Sequence, residues 1–157
     1  MNNNINKHYI ICGFSGVGKS TAEQLHKNVE DWESSAYSHC LNPESTDYGE
    51  KNGEFPQNYI DALVEDMNKS HNKIYLLSCH QEVRNELNKR GIPYIIVMPD
   101  IYQLNEYTKR WFKRGSDIEF IKHMYRKWSS MILSCEKDNA PKIFLDKNEY
   151  INDILPI

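Results

Sequence analysis

With 157 residues and a mass of 18.5 kDa, the chain has room for one hydrophobic core, since single domains run to roughly 100–200 residues. A composition of 39% hydrophobic and 26% charged residues describes a soluble globular chain and excludes disordered and fibrous classes. The 19 Lys and Arg against 22 Asp and Glu leave a net charge of −3, which argues against a sequence-independent nucleic-acid coat.

The longest apolar runs fall far short of the ~20 residues a bilayer span requires, and the opening Met-Asn-Asn-Asn-Ile-Asn lacks a signal-peptide core. A cytoplasmic protein with no membrane partner is the expectation. Cys12, Cys40, Cys79 and Cys135 are widely separated with no CxxC pair, so reduced thiols are expected and zinc spacing is absent.

In chain order, residues 8–12 form a short apolar run ended by a glycine-rich turn and read as the first strand. Residues 19–27 carry Ala22 and Leu25 at helical spacing. Residues 29–32 read as a short acidic strand, and residues 38–53, rich in Pro, Gly, Asn and charge without a period, as a mobile connection. Pro56 is placed to open a helix carrying Tyr59, Ile60, Leu63, Val64 and Met67 on one face as far as Asn72.

Residues 73–78 read as a buried strand, 82–90 as a helix stopped by Gly91, and 93–98 as another buried strand. Residues 101–114 predict a helix broken at Gly115. The Ser116-to-Glu119 spacing predicts a capping box for a long helix over residues 117–135. A last strand at 141–145 and a short helix near 149–155 complete an α/β doubly wound sheet of about five parallel strands, in which ligands belong at the carboxyl ends.

The sharpest signal is Gly13-Phe14-Ser15-Gly16-Val17-Gly18-Lys19-Ser20-Thr21, which fits G-x-x-x-x-G-K-[ST] with a strand before it and a helix after it. Glycines at 13, 16 and 18 permit backbone angles that turn successive N–H groups onto a phosphate. Lys19 would then reach the β and γ phosphates of ATP, and the Ser20 hydroxyl would ligate Mg²⁺. Thr21 reads as a helper or helix-start residue.

This loop, the small size and a late basic segment together resemble the P-loop nucleoside monophosphate kinases. Asp31-Trp-Glu-Ser-Ser35, Phe55-Pro-Gln-Asn-Tyr59, Ser78-Cys-His80 with Glu82-Val-Arg84, and Arg110 with Arg114-Gly115 are similar to small phage-type and bacterial nucleotide kinases. The resemblance implies a parallel sheet in the order 2-3-1-4-5 and Mg-ATP as donor. It also implies a nucleotide acceptor held between a segment at about 33–70 and a lid at about 104–118, all in one kinase domain over 1–157. If the chain is phage-encoded, the cytoplasm is the host's.

On that frame, Arg110 and Arg114 share a helix face and are expected to close over phosphates; the bland alternative is a solvated basic face pairing with Glu106. Asp31 and Glu33 fall at the end of the second strand, where either carboxylate can orient an acceptor hydroxyl or hold a metal-bound water. With a phosphate acceptor Asp31 only positions; with a hydroxyl acceptor it becomes the base. Arg84 is expected to grip an acceptor phosphate and His80 to line its site. Asn58 and Tyr59 are candidates for reading a base, although Tyr59 also belongs to the apolar stripe.

Other nucleotide-binding classes fit less well. The strand at 73–78 ends in Ser and Cys rather than the acidic residue of motor and transporter ATPases, and residues 146–149 do not form the Asn-Lys-x-Asp segment of GTPases. Three readings stay open: a nucleoside monophosphate kinase; a kinase of a nucleoside, modified DNA base or other small hydroxyl metabolite; and a non-catalytic nucleotide-binding regulatory module. Oligomeric state is open as well.

Overall fold

The structure is a computed structural model and describes residues 7–40, 43–46 and 48–156. Strands β1 (Tyr9–Gly13), β2 (Val29–Trp32), β3 (Ile74–Ser78), β4 (Ile95–Pro99) and β5 (Lys142–Leu145) form one five-stranded sheet in the order β2-β3-β1-β4-β5. Every pairing is parallel, with Ile11 opposite Leu76 on one side and Ile95 on the other. This is the order the resemblance implies. The central strands read as continuous apolar runs because helices cover both faces, leaving Ile10, Ile11, Cys12 and Ile74 to Leu77 buried.

The helices are α1 (Lys19–Leu25), α2 (Ser35–Ser38), α3 (Gln57–Lys69), α4 (Gln81–Lys89), α5 (Leu104–Lys113) and α6 (Ile118–Lys137). Each long helix buries one stripe: Tyr59, Ile60 and Leu63 on α3, and Ile121, Met124, Trp128, Ile132 and Cys135 on α6. Gly91 and Gly115, with φ of 68° and 79°, take the left-handed conformation just past α4 and α5, where a Cβ would be strained.

Several local expectations shift. The helix expected over 101–114 is split into a 3₁₀ turn at Ile101–Gln103 and α5, with the Asp100 side chain accepting from the Tyr102 N–H at 2.9 Å. The capping residue of α6 is Asp117 rather than Ser116, because the Asp117 carboxylate takes the Glu119 N–H while Ser116 Oγ accepts from Arg114. The tail is a 3₁₀ turn at Ile151–Ile154. Within the connection at 38–53, of which residues 41, 42 and 47 lie outside the described residues, His39 pairs with Lys51 in an antiparallel bridge.

An aromatic cluster sets where β1 delivers the chain. Phe14 packs edge-on against Trp128 at 5.3 Å and Tyr107 at 6.2 Å, and Trp111 lies 6.1 Å from Trp128. The residue after the central strand is thereby pinned to α5 and α6, so the loop that follows is fixed at the carboxyl edge of the sheet.

Candidate active site

That carboxyl edge opens into a cavity of about 980 Å³. The loop from Gly13 to Thr21 forms one wall; Asp31 in β2 and Glu33 just after it, and Cys79 and His80 after β3, form the opposite one. Met124, Met131 and Ser134 of α6 roof the space, with Arg114 at the loop side. Among the described residues no helix is long and apolar enough to cross a membrane.

The loop's backbone is held from outside by its carbonyls. The Gly13 oxygen accepts from Lys19 Nζ at 2.8 Å, that of Phe14 from the Val17 N–H at 3.2 Å, and that of Ser15 from Trp111 Nε1 at 3.2 Å. The Gly16 oxygen accepts from Arg110 Nη1 at 3.0 Å, that of Val17 from the Ile151 N–H at 2.8 Å, and that of Gly18 from the Ala22 N–H at 3.1 Å. Every carbonyl from 13 to 18 thus has a protein donor. By contrast the N–H groups of Ser15, Gly16, Gly18, Lys19 and Ser20 have no backbone acceptor among the described residues. Amides without backbone acceptors beside carbonyls that are tied back leave a run of donors available at the cavity wall.

Gly16 and Gly18 have φ of 99° and 94°, a region that L side chains rarely enter. A Cβ on Gly16 would also stand 3.0 Å from the Tyr107 ring and 3.1 Å from Trp111 Nε1. We expect Gly16→Ala to destabilise the protein by about 1–3 kcal/mol through backbone strain. Thermal unfolding measures the effect. Unchanged stability would contradict the conformation described.

Lys19 sits at the floor of the cavity, where burial lowers its pKa against the pull of Asp31, Cys79 and Glu33. Ser20 and Thr21 are exposed at the start of α1, and Val17 is fully buried in the core, contributing its carbonyl rather than its side chain. Arg114 reaches the loop from α5, donating Nη2 to Ser15 Oγ at 3.0 Å and Nε to Ser116 Oγ at 2.7 Å.

Arg110, expected to close over phosphates from a lid face, is placed otherwise. It is 7% exposed and its guanidinium lies between two rings, 3.9 Å from the Tyr150 centroid and 4.5 Å from that of Tyr107. Nη1 takes the Gly16 carbonyl and Nη2 takes the Glu149 carbonyl at 2.8 Å. Arg110 is therefore a clamp that ties α5 and the C-terminal segment to the loop. The alternative pairing with Glu106 is also present, at 3.5 Å.

Arg84, expected to grip an acceptor phosphate, is likewise committed within the protein. Four of its five N–H groups have protein acceptors: Cys79 O, Ser134 O, Ser134 Oγ and Asp138 Oδ2, the last at 2.8 Å. Its charge is neutralised by an Asp138 carboxylate that is as buried as itself. Burial alone would raise Asp138, but bonds from the Ala140 N–H, Tyr94 and Arg84 hold it below the ordinary carboxylate range.

Asn58 and Tyr59 stand away from the cavity. Asn58 donates to the Tyr37 carbonyl at 3.0 Å and accepts from the Tyr59 N–H at 2.8 Å. Tyr59 is 0% exposed, with its hydroxyl donating to the Trp32 carbonyl, so the apolar stripe claims it, while Asn58 is half-buried and bonded to neighbouring backbone.

The β2 carboxylates do face the cavity. Asp31 Oδ1 is buried without a hydrogen-bond partner, and burial, reinforced by Glu33 and Glu23 and opposed by Lys19, raises its pKa. Glu33 differs: burial would raise it, yet the Ser35 hydroxyl at 2.6 Å and the Ser35 N–H at 3.0 Å hold it below its ordinary value. Desolvation at the cavity edge lowers the His80 imidazole, aided by Lys19 and Arg84 and opposed by Glu82, which keeps it neutral at pH 7.

Sequence reasoning did not single out Trp111, Tyr150, Met131 or Ser134. The first two anchor the loop and Arg110, and the others line the cavity from α6; only the helical stripe of α6 signals that it packs on the sheet.

No protein-family model and no curated protein matches the sequence. Among solved structures the chain is similar to the tunicamycin resistance protein of Deinococcus radiodurans, with a TM-score of 0.57 at 16% identity, covering 88% of this chain and 86% of that one. At that identity the likeness is one of fold alone.

Proposed function

We propose that the chain is a phosphotransferase that binds the phosphates of Mg-ATP in the loop at 13–21 and passes the γ-phosphoryl group to a small acceptor in the adjoining cavity. The observation that carries this reading is the run of loop amides without backbone acceptors, whose carbonyls are all tied back, beside Lys19. Phosphoryl transfer asks mainly for positioning and for neutralisation of spreading charge, and the loop side supplies Lys19 and Arg114 for that purpose.

The donor set also suits Mg²⁺. Among the described residues there is no cluster of His, Cys, Asp and Glu able to cage a metal alone, whereas the exposed Ser20 hydroxyl beside a phosphate site offers the single protein ligand that a largely phosphate- and water-bound Mg²⁺ accepts. When bound, the ion would screen the β and γ phosphates. The likeness in fold to a tunicamycin resistance protein is compatible with a small-molecule acceptor, and no nucleic-acid or membrane partner is invoked.

Release of ADP from Mg-ATP, followed with and without small acceptors, tests the reading; acceptor-stimulated release supports it. A protein that neither binds nor turns over Mg-ATP would refute it. Arg114→Ala is expected to lower kcat by about 10- to 100-fold with a smaller change in ATP affinity, because its one planar cation matters most when charge spreads in the transition state. Equal loss in kcat and affinity would place Arg114 in ground-state binding instead.

A further inference from the structure

The charges of the cavity wall are unevenly divided. Its cations are Lys19, Arg84, Arg110, Lys113 and Arg114. Lys19 lies in the loop, while Arg110, Lys113 and Arg114 come from the end of α5 and its cap, with Arg110 and Arg114 bonded to the loop. Among the described residues on the β2–β3 side only Arg84 is positive, and it is paired with Asp138 and bonded to Ser134 and the Cys79 carbonyl. His80 is neutral there. The same side carries two carboxylates, Asp31 and Glu33.

An acceptor that is already a phosphate ester would bring a further anion against these carboxylates with no free cation opposite, and like charges in a partly desolvated site repel strongly. An uncharged hydroxyl meets the opposite situation. Asp31 lines the cavity, and among the described residues its Oδ1 has no donor, so the carboxylate keeps acceptor capacity for an arriving hydroxyl. Phe120, Met124 and Met131 give the roof an apolar surface for the organic body of such a molecule.

We propose that the acceptor is an uncharged hydroxyl compound, and that Asp31 receives its proton. The inference rests on the phosphotransferase reading above. In the step, the acceptor oxygen forms a bond to the γ phosphorus as the bond from that phosphorus to the β–γ bridging oxygen breaks. ADP departs with the electron pair of the broken bond, and the hydroxyl proton passes to Asp31. The raised pKa of Asp31 makes it a stronger base than an exposed carboxylate.

The test uses the full chain with Mg-ATP and matched pairs of acceptors: nucleosides with their 5′-monophosphates, and glycerol, ribose and inositol with their monophosphates. ADP release is read alongside calorimetric ATP binding. The expected result is that an unphosphorylated member stimulates release at least about 10-fold more than its phosphate. Asp31→Asn should then lower the stimulated rate by about 100-fold or more while ATP affinity stays unchanged, which also shows that the variant is folded. The proposal is overturned if the monophosphate is the better acceptor in the pairs that react, or if Asp31→Asn keeps its stimulated rate. It is overturned equally if no member of any pair stimulates a protein that binds ATP through Lys19. Absence of Lys19-dependent ATP binding would remove the phosphotransferase reading itself, and this inference with it.

Discussion

Lys19→Ala is expected to fold as well as the wild-type protein and to lose turnover of Mg-ATP by about 100- to 1,000-fold, the scale of removing one preorganised charge donor from a transition state. The stability half of this prediction follows from electrostatics. Burial lowers the Lys19 pKa in the folded state, so protonation favours the unfolded chain. The charged ammonium therefore costs stability at neutral pH, and the cost fades as pH rises through the depressed value toward the unfolded one. Deleting the side chain forfeits one bond to the Gly13 carbonyl but also removes that cost, leaving stability within about 1 kcal/mol of wild type. Thermal unfolding and ADP release decide the matter together. A folded Lys19→Ala protein with wild-type turnover would refute the loop assignment.

Arg84→Met is expected to have the largest effect on stability. The Arg84–Asp138 pair is 2.8 Å long with side chains 4% and 6% exposed, so removing the guanidinium strands a carboxylate that Tyr94 also commits to the interior. Breaking such a buried pair from one side costs about 3–5 kcal/mol, which for a chain of this size lowers Tm by roughly 6–20 °C. Asp138 adds a pH signature: its folded pKa is depressed, so its contribution is present above the unfolded value and is lost as pH falls through the folded one. The double variant Arg84→Met with Asp138→Leu should recover much of the loss, because no charge is then left buried. If Arg84 were instead free to hold an acceptor, Arg84→Met would leave Tm unchanged and raise KM alone.

These two cases also mark what the sequence can and cannot disclose. The loop was legible because its information is local: a strand, glycines at fixed offsets, Lys19 and a helix lie within a few residues, and the strands and helices around them follow from apolar periodicity. The bonds that hold Arg110 and Arg84 were not legible because their partners are remote. Arg110 meets Gly16 across 94 residues and Glu149 across 39, and Arg84 meets Asp138 across 54. A basic residue near a phosphate loop reads as a ligand-binding cation until the fold reveals the carbonyl or carboxylate that already holds it. Asn58 and Tyr59 show the same limit, since burial of α3 against Trp32 and Tyr37 decides their roles. Asp31 and Glu33 were correctly placed at the strand end, yet only their surroundings separate them: Ser35 satisfies Glu33, and among the described residues nothing satisfies Asp31 Oδ1.

A ¹H–¹⁵N correlation spectrum titrated with Mg-ATP reads the loop amides one by one. The prediction is that the N–H signals of Ser15, Gly16, Gly18, Lys19 and Ser20 move together and further than those of the β-strand interior, with the response lost in Lys19→Ala. Mg-ATP that leaves these amides unmoved at saturating concentration, or that shifts a different part of the chain, would contradict it.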